Sequence, residues 1–208
     1  MPLASSYSTA HWDATFPLKV FKQSADKPIP LRRGDTLPSL TFEAIQSIWQ
    51  HLPAQLTPQL PISARQLVTK QPLVLTFLSS GWNQYGLNHL QALRAAYPEI
   101  LALGGNLLAI VQGTYQQTIG LINDFDVSYN LVADDSNLIA QQLGLYAPLY
   151  PVWERVSGVS EDVPLPAVYV IAPNGKIIYD SVDTDFSTPF SITEMLVGVF
   201  NAGRFFTK

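Results

Sequence analysis

The sequence predicts an α/β domain: a mixed sheet of central parallel strands closed by an antiparallel hairpin, with helices on both faces. Three observations predict it. Residues 73–78 and 107–111 are continuous apolar runs, the pattern of strands buried on both faces. Apolar residues at helical spacing follow each run, and strands joined by such crossovers pair in parallel. Near the C-terminus, Pro173-Asn174-Gly175 separates two strand-like runs and reads as a tight hairpin turn.

Taken in order, residues 1–33 read as an N-terminal arm. They lack a clear period, contain Pro17, Pro28 and Pro30, and end in Leu31-Arg32-Arg33-Gly34. Trp12, Phe16 and Phe21 are expected to pack it on the body; the alternative is an oligomerisation arm. Residues 34–208 read as one domain. Gly34-Asp35-Thr36-Leu37-Pro38 is a turn before a short strand at 40–44. The stretch 45–62 reads as an insertion or long loop. Ile45, Ile48, Trp49 and Leu52 have the spacing of one or two helical turns, and Pro53, Pro58 and Pro61 stop anything longer.

Ser63 is expected to cap a short helix through Val68. After the strand at 73–78, a helix is expected over about 84–97, with Leu87, Leu90, Leu93 and Tyr97 in period and Pro98 near its end. A helix at 114–124 is capped by Thr114 and turns Ile119 and Ile122 inward. A strand at 130–133 precedes a helix capped by Ser136 that stops near Gly144. Strands at 167–171 and 176–182 form the hairpin, and Ser191 caps a last helix over about 192–202.

Composition narrows the function. The 208 residues are 47% hydrophobic and 13% charged, and none is cysteine. That excludes disulfides, thiolate metal sites and a cysteine nucleophile within this chain. A net charge of −4 provides no basic field for nucleic acid. Charge is sparse against the roughly 25% of an average domain, which implies apolar surface able to meet a partner, a second copy included. His11, His51 and His89 form no ligand pair at helical spacing, so neither metal nor cofactor is implied. No apolar run approaches the ~20 residues of a membrane span, and residues 1–10 lack a secretory pattern, so the expected compartment is the cytoplasm.

Further chemistry is thinly represented. Asp180, Asp183 and Asp185 lack the glycine and terminal glutamate of a calcium loop and read as a solvated turn. Asp134-Asp135 looks like helix-start chemistry. There is no Gly-x-Ser-x-Gly elbow, phosphate loop or dinucleotide fingerprint.

One segment stands apart: Phe77-Leu78-Ser79-Ser80-Gly81-Trp82-Asn83-Gln84-Tyr85-Gly86. It resembles the active-site segment of peroxiredoxin-like proteins of the alkyl hydroperoxide reductase/thiol-specific antioxidant (AhpC/TSA) superfamily. One branch of that superfamily follows a phenylalanine-led strand with glycine, tryptophan and Cys-Pro-Tyr-Cys. Here Phe77, Gly81, Trp82 and Tyr85 keep the frame. Asn83 matches the first cysteine, Gln84 the proline and Gly86 the second cysteine; Ser79 matches a frequent arginine. The run from Val163 to Ile171 with Asn174-Gly175-Lys176 resembles the segment that carries the family's cis-proline, and Pro166 is the matching position. Val182-Asp183-Thr184-Asp185-Phe186-Ser187 is a third match, followed by Thr188-Pro189 where the branch often has arginines. The matches extend from about residue 34 to 200.

The resemblance implies a thioredoxin-like fold and, in the family, peroxidase or disulfide chemistry. A helix N-terminus lowers a cysteine pKa and populates its thiolate. Asn83 has no comparable proton to lose, and Gly86 offers no second thiol. The expectation is therefore a redox-inactive relative that binds something: an unidentified protein partner, or a small polar or anionic ligand at the helix start. The candidate ligand-binding residues are Ser80, Trp82, Asn83, Tyr85 and Pro166. Asn83 also reads as a helix N-cap, and Trp82 as core. Two alternatives stay open: a non-thiol enzyme using a remodelled pocket around Asn83, and a regulatory partner of a cysteine-bearing relative. Cysteines placed at Asn83 and Gly86 would test the mapping.

Overall fold

The computed structural model describes residues 27–159 and 162–204. Trp12, Phe16, Phe21 and His11 lie outside the described residues. The main sheet has six strands in the order β2-β6-β5-β4-β7-β8. Its centre is β4 (Leu73–Leu78), parallel to β5 (Asn106–Val111), which is parallel to β6 (Asn130–Ala133). On the other side β4 pairs antiparallel with β7 (Ala167–Ile171), and β7 with β8 (Ile177–Val182). Gly175 takes φ +83° in the hairpin turn, a conformation open to glycine at no steric cost. The architecture is the mixed α/β sheet that the sequence predicts.

Helices lie on both faces because the strands are apolar on both. Above one face lie α2 (Gln84–Ala102), α3 (Tyr115–Phe125) and α5 (Ile192–Gly203). They cover Val74, Leu107, Ala109, Leu131, Val168 and Val170. Leu73, Leu75, Phe77, Leu108, Ile110 and Tyr169 point to the opposite face. That face is covered by the β1 (Thr41–Phe42) and β3 (Ile62–Ser63) pair, by α1 (Ala64–Val68), by α4 (Leu138–Gln142) and by the loop leading to β7. Ser63 and Gln66 form a capping box at α1, and Thr114 and Gln117 form one at α3. Ser191 accepts the Glu194 N–H at α5. No described helix is long and apolar enough to cross a membrane.

Several local expectations are corrected. The helical spacing at 45–52 forms no α-helix. A single 3-10 turn over Ala44–Gln46 leads into β2 (Ser47–Ile48), which pairs antiparallel with β6. The Asn130 carboxamide oxygen accepts the N–H groups of Gln50 and His51, replacing the bonds a helix would supply. Pro98 does not end α2. It sits on the exposed side of the helix, which goes on to bury Ile100. Ser136 is not the cap of α4. The buried Asp134 carboxylate accepts from the N–H groups of Ile139 and Ala140, and Asn137 makes the turn at φ +55°. In α3, Ile122 packs on the core, but the fully buried residue is Thr118, one turn after the cap.

Residues 27–33 run against the body. The Leu31 N–H donates to Leu143, and Arg32 pairs with Asp180 at 3.0 Å. A Cβ at Gly144 would stand 2.0 Å from the Ile29 carbonyl oxygen, so only glycine lets the two segments meet.

Candidate functional site

The carboxyl ends of β4 and β5 are where a parallel α/β sheet opens to ligands, and the singled-out segment lies there. After Leu78 the chain leaves the sheet through a 3-10 turn, Ser80–Trp82, and enters α2. The Ser79 hydroxyl shapes this passage. It accepts the Gly81 N–H at 3.0 Å and donates to the Gln112 side-chain oxygen at 2.5 Å. Gln112 in turn donates to the Asp162 carbonyl at 2.9 Å.

Asn83 stands at the N-cap position of α2, but its side chain does not cap the helix. Its amide nitrogen instead donates to the Gly158 carbonyl at 2.6 Å. The backbone there is at φ 52°, ψ −129°, a region that side-chain-bearing residues rarely enter. The capping expectation is thus corrected: the carboxamide leaves the helix end to fasten the loop at Gly158.

The predicted site residues divide between two sides of this turn. Trp82, Tyr85 and Pro166 lie together on one side. Trp82 is 2% exposed, and its indole N–H donates to the Pro164 carbonyl at 2.9 Å. The Tyr85 hydroxyl donates to the Asp183 carboxylate at 3.0 Å, and the Asp183 N–H donates to the Pro166 carbonyl at 3.0 Å. Among the described residues no peptide bond is cis, so the bond before Pro166 is trans, unlike the family pattern. Phe186 packs on the rings of both Trp82 and Tyr85, with centroids 6.0 and 5.1 Å away.

His89 completes this aromatic cluster, 5.7 Å from Trp82 and 4.9 Å from Phe190 by ring centroids. The single proton of the Thr76 hydroxyl goes to the Ala167 carbonyl, 2.9 Å away. Thr76 must therefore accept from His89 Nε2, also at 2.9 Å, which makes His89 the Nε2–H tautomer. Its Nδ1 is buried without a partner. Burial holds the His89 pKa down to about 3, so the ring is neutral at physiological pH. Burial, and then the charges of Asp183 and Asp185, push the Tyr85 phenol far above its usual range.

Asp183 is not part of a solvated turn. It is 6% exposed, and its carboxylate collects the Tyr85 hydroxyl and the N–H groups of Asp185, Ser187 and Thr188. Asp180 is taken by Arg32 and the Arg33 N–H. No group of side chains suited to a metal occurs among the described residues. Neither Asp183 nor His89 was picked out as a site residue. The sequence signals for Asp183 are its place in the third matching segment and among the three closely spaced aspartates.

Ser80, Asn83 and Gly86 face the other side. They border a cavity of about 480 Å³ between α2 and α3. Gly86 is required there: a Cβ would stand 2.7 Å from the Ser79 carbonyl oxygen and 3.3 Å from the Trp82 Cβ. The second cysteine of the proposed pair therefore cannot enter without moving the strand exit.

Comparison with known proteins agrees with the fold. The model of the AhpC/TSA family matches residues 51–180. No curated protein sequence matches at a significant level. Among solved structures, the chain resembles the reduced 2-Cys peroxiredoxin of Plasmodium vivax at 15% identity and TM-score 0.60, covering 80% of this chain and 79% of that one. It resembles Enterococcus faecalis AhpC at 12% identity and TM-score 0.61, covering 86% and 95%. The peroxidoxin BcpB of Mycobacterium tuberculosis gives 15% identity and TM-score 0.60, covering 85% and 98%. At these identities the likeness is one of fold.

Proposed function

The chain belongs to the AhpC/TSA family, and from that premise we propose that it is a member without thiol peroxidase chemistry that works as a binding module. The observation that carries this reading is at residue 83. Where the resemblance puts the reactive cysteine, Asn83 stands with its amide bonded to Gly158, in a chain that has no cysteine anywhere. A thiol peroxidase needs a thiolate to attack the peroxide and become a sulfenic acid, and this chain has no atom for that step. The binding region is the start of α2, where Ser80 and Asn83 meet the cavity.

The rival reading, a non-thiol enzyme, needs a group near Asn83 that titrates close to neutral pH. The two perturbed groups on α2 beside this turn, Tyr85 and His89, move away from neutrality, Tyr85 upward and His89 downward. They are suited to packing rather than to proton transfer.

The test is hydroperoxide consumption by the purified chain with dithiothreitol or a thioredoxin system as reductant. The expected rate is that of the protein-free buffer. Sustained turnover proportional to protein concentration would overturn the reading.

A further inference from the structure

The cavity beside α2 has a feature that the chain's own packing does not explain. α2 and α3 follow adjacent parallel strands and rest on the same face of the sheet, yet they make little contact with each other. Helices so placed normally close to 8–10 Å, ridge into groove. Here the space between them is the cavity. From α2 it is lined by Asn83, Gly86, Leu87 and Leu90, one helical face. From α3 it is lined by Gln117, Gly120, Leu121, Asp124 and Phe125, again one face.

The two glycines differ. Gly86 is forced by the Ser79 carbonyl oxygen, but a Cβ at Gly120 would meet nothing within 4 Å. Gly120 is in the interior of α3, and it is absent from the glycines with positive φ. Glycine at such a position weakens a helix relative to alanine. Among the described residues, no turn, close approach or unusual dihedral requires it. What it does provide is room at the wall of the cavity.

We propose that this groove is a binding site for a compact, mainly hydrocarbon small molecule without negative charge. The proposal rests on the binding-module reading and specifies its ligand. At about 480 Å³ the volume suits a small organic molecule, whose sites span roughly 300–1,000 Å³. Leu78, Leu87, Leu90, Val111, Leu121 and Phe125 form the apolar wall. The Ser80 hydroxyl, and the Asn83 oxygen and Gln117 nitrogen that the Gly158 bond and the α3 capping box leave over, supply neutral hydrogen-bonding groups for one polar end. Among the described residues, Asp124 is the only charged side chain in the lining. A carboxylate there, on the last turn of α3 where the helix dipole is negative, repels an anion. This narrows the sequence expectation of a polar or anionic ligand.

The probe is N-phenylnaphthylamine, an uncharged apolar fluorophore, titrated into the full chain. Saturable binding in the micromolar range is expected. Gly120→Leu, which fills the groove from α3, should weaken it by about tenfold or more. Gly120→Ala is the folding control and should raise the Tm by about 2–4 °C through helix propensity alone. The sulfonated anionic analogue should bind about tenfold more weakly than the neutral probe, and Asp124→Asn should narrow that gap. Absence of saturable binding overturns the proposal, as does unchanged affinity in Gly120→Leu. Equal affinity for the anionic probe overturns its charge assignment. The peroxide assay is separate: turnover in a chain that binds the probe overturns only the earlier reading, and an inert chain that ignores the probe overturns only this one.

Discussion

The first turn of α2 has two unlike sides. On one, Trp82, Tyr85 and His89 of the turn meet Phe186, Phe190 and Asp183, and most polar atoms are matched to a partner. On the other, Ser80, Asn83 and Gly86 border the cavity toward α3. A single short motif thus feeds both a sealed core and a cavity. The difference teaches that one short segment can serve two ends: its aromatic residues are packing, while Ser80, Asn83 and Gly86 border the opening.

Substitutions on the two sides should therefore behave differently. The largest effect is expected from Trp82→Ala, which empties a fully buried ring and leaves the Pro164 carbonyl without its donor. It should cost about 3–5 kcal/mol in urea unfolding. A loss under 1 kcal/mol would mean that this side is not sealed as described.

Acid should act on the sealed side next. In the unfolded chain His89 titrates near the ordinary imidazole value of 6.5, whereas the folded pKa is held down to about 3 by burial. Between those values the unfolded chain binds the proton and the folded one does not, so stability is complete above 6.5 and falls as pH drops toward 3. From pH 7 to 4.5 the loss attributable to His89 should be about 2–3 kcal/mol. His89→Phe should flatten that part of the pH profile. An unchanged slope in the variant would assign the acid sensitivity elsewhere.

The smallest effects sharpen the boundary between the sides. Gly86→Ala should destabilise by about 1–3 kcal/mol because its Cβ meets the Ser79 carbonyl oxygen. Ser80→Ala, exposed at the cavity mouth, should stay within about 0.5 kcal/mol of the unaltered chain. If both variants unfold at the same denaturant concentration, the turn is not divided as described.

Much of the fold was legible in the sequence. The buried runs of β4 and β5 cannot be satisfied on a half-exposed strand, so their continuity already implied helices on both faces. Thr114 and Ser63 were readable as caps because a capping hydroxyl acts within three residues of its own position. The misreadings arose where a distant partner took over the backbone. Asn130 captures the N–H groups of Gln50 and His51 from about eighty residues away, and no local spacing encodes that. Asp134 took the capping role expected of Ser136 because the chain folds back at Asn137. The candidate site residues lie at one strand-to-helix turn and the loop before β7, and their separation into two sides was not visible in the sequence. A motif gives the order of side chains, not the face to which each turns.

The absence of cysteine needed no structure. It is a property of the chain, and it removes thiolate chemistry whatever the fold. The α/β class follows from local order and spacing as well, and the family resemblance, which sets Asn83 against a reactive cysteine, rests on motifs read along the chain. Only the tertiary structure decided that Asn83 fastens Gly158 instead of capping its helix, that Gly86 is held by the Ser79 carbonyl oxygen, and that α2 and α3 stand apart. Each of these depends on contacts between segments brought together by the sheet. Such contacts are set by packing across the whole domain, and local sequence carries no record of them.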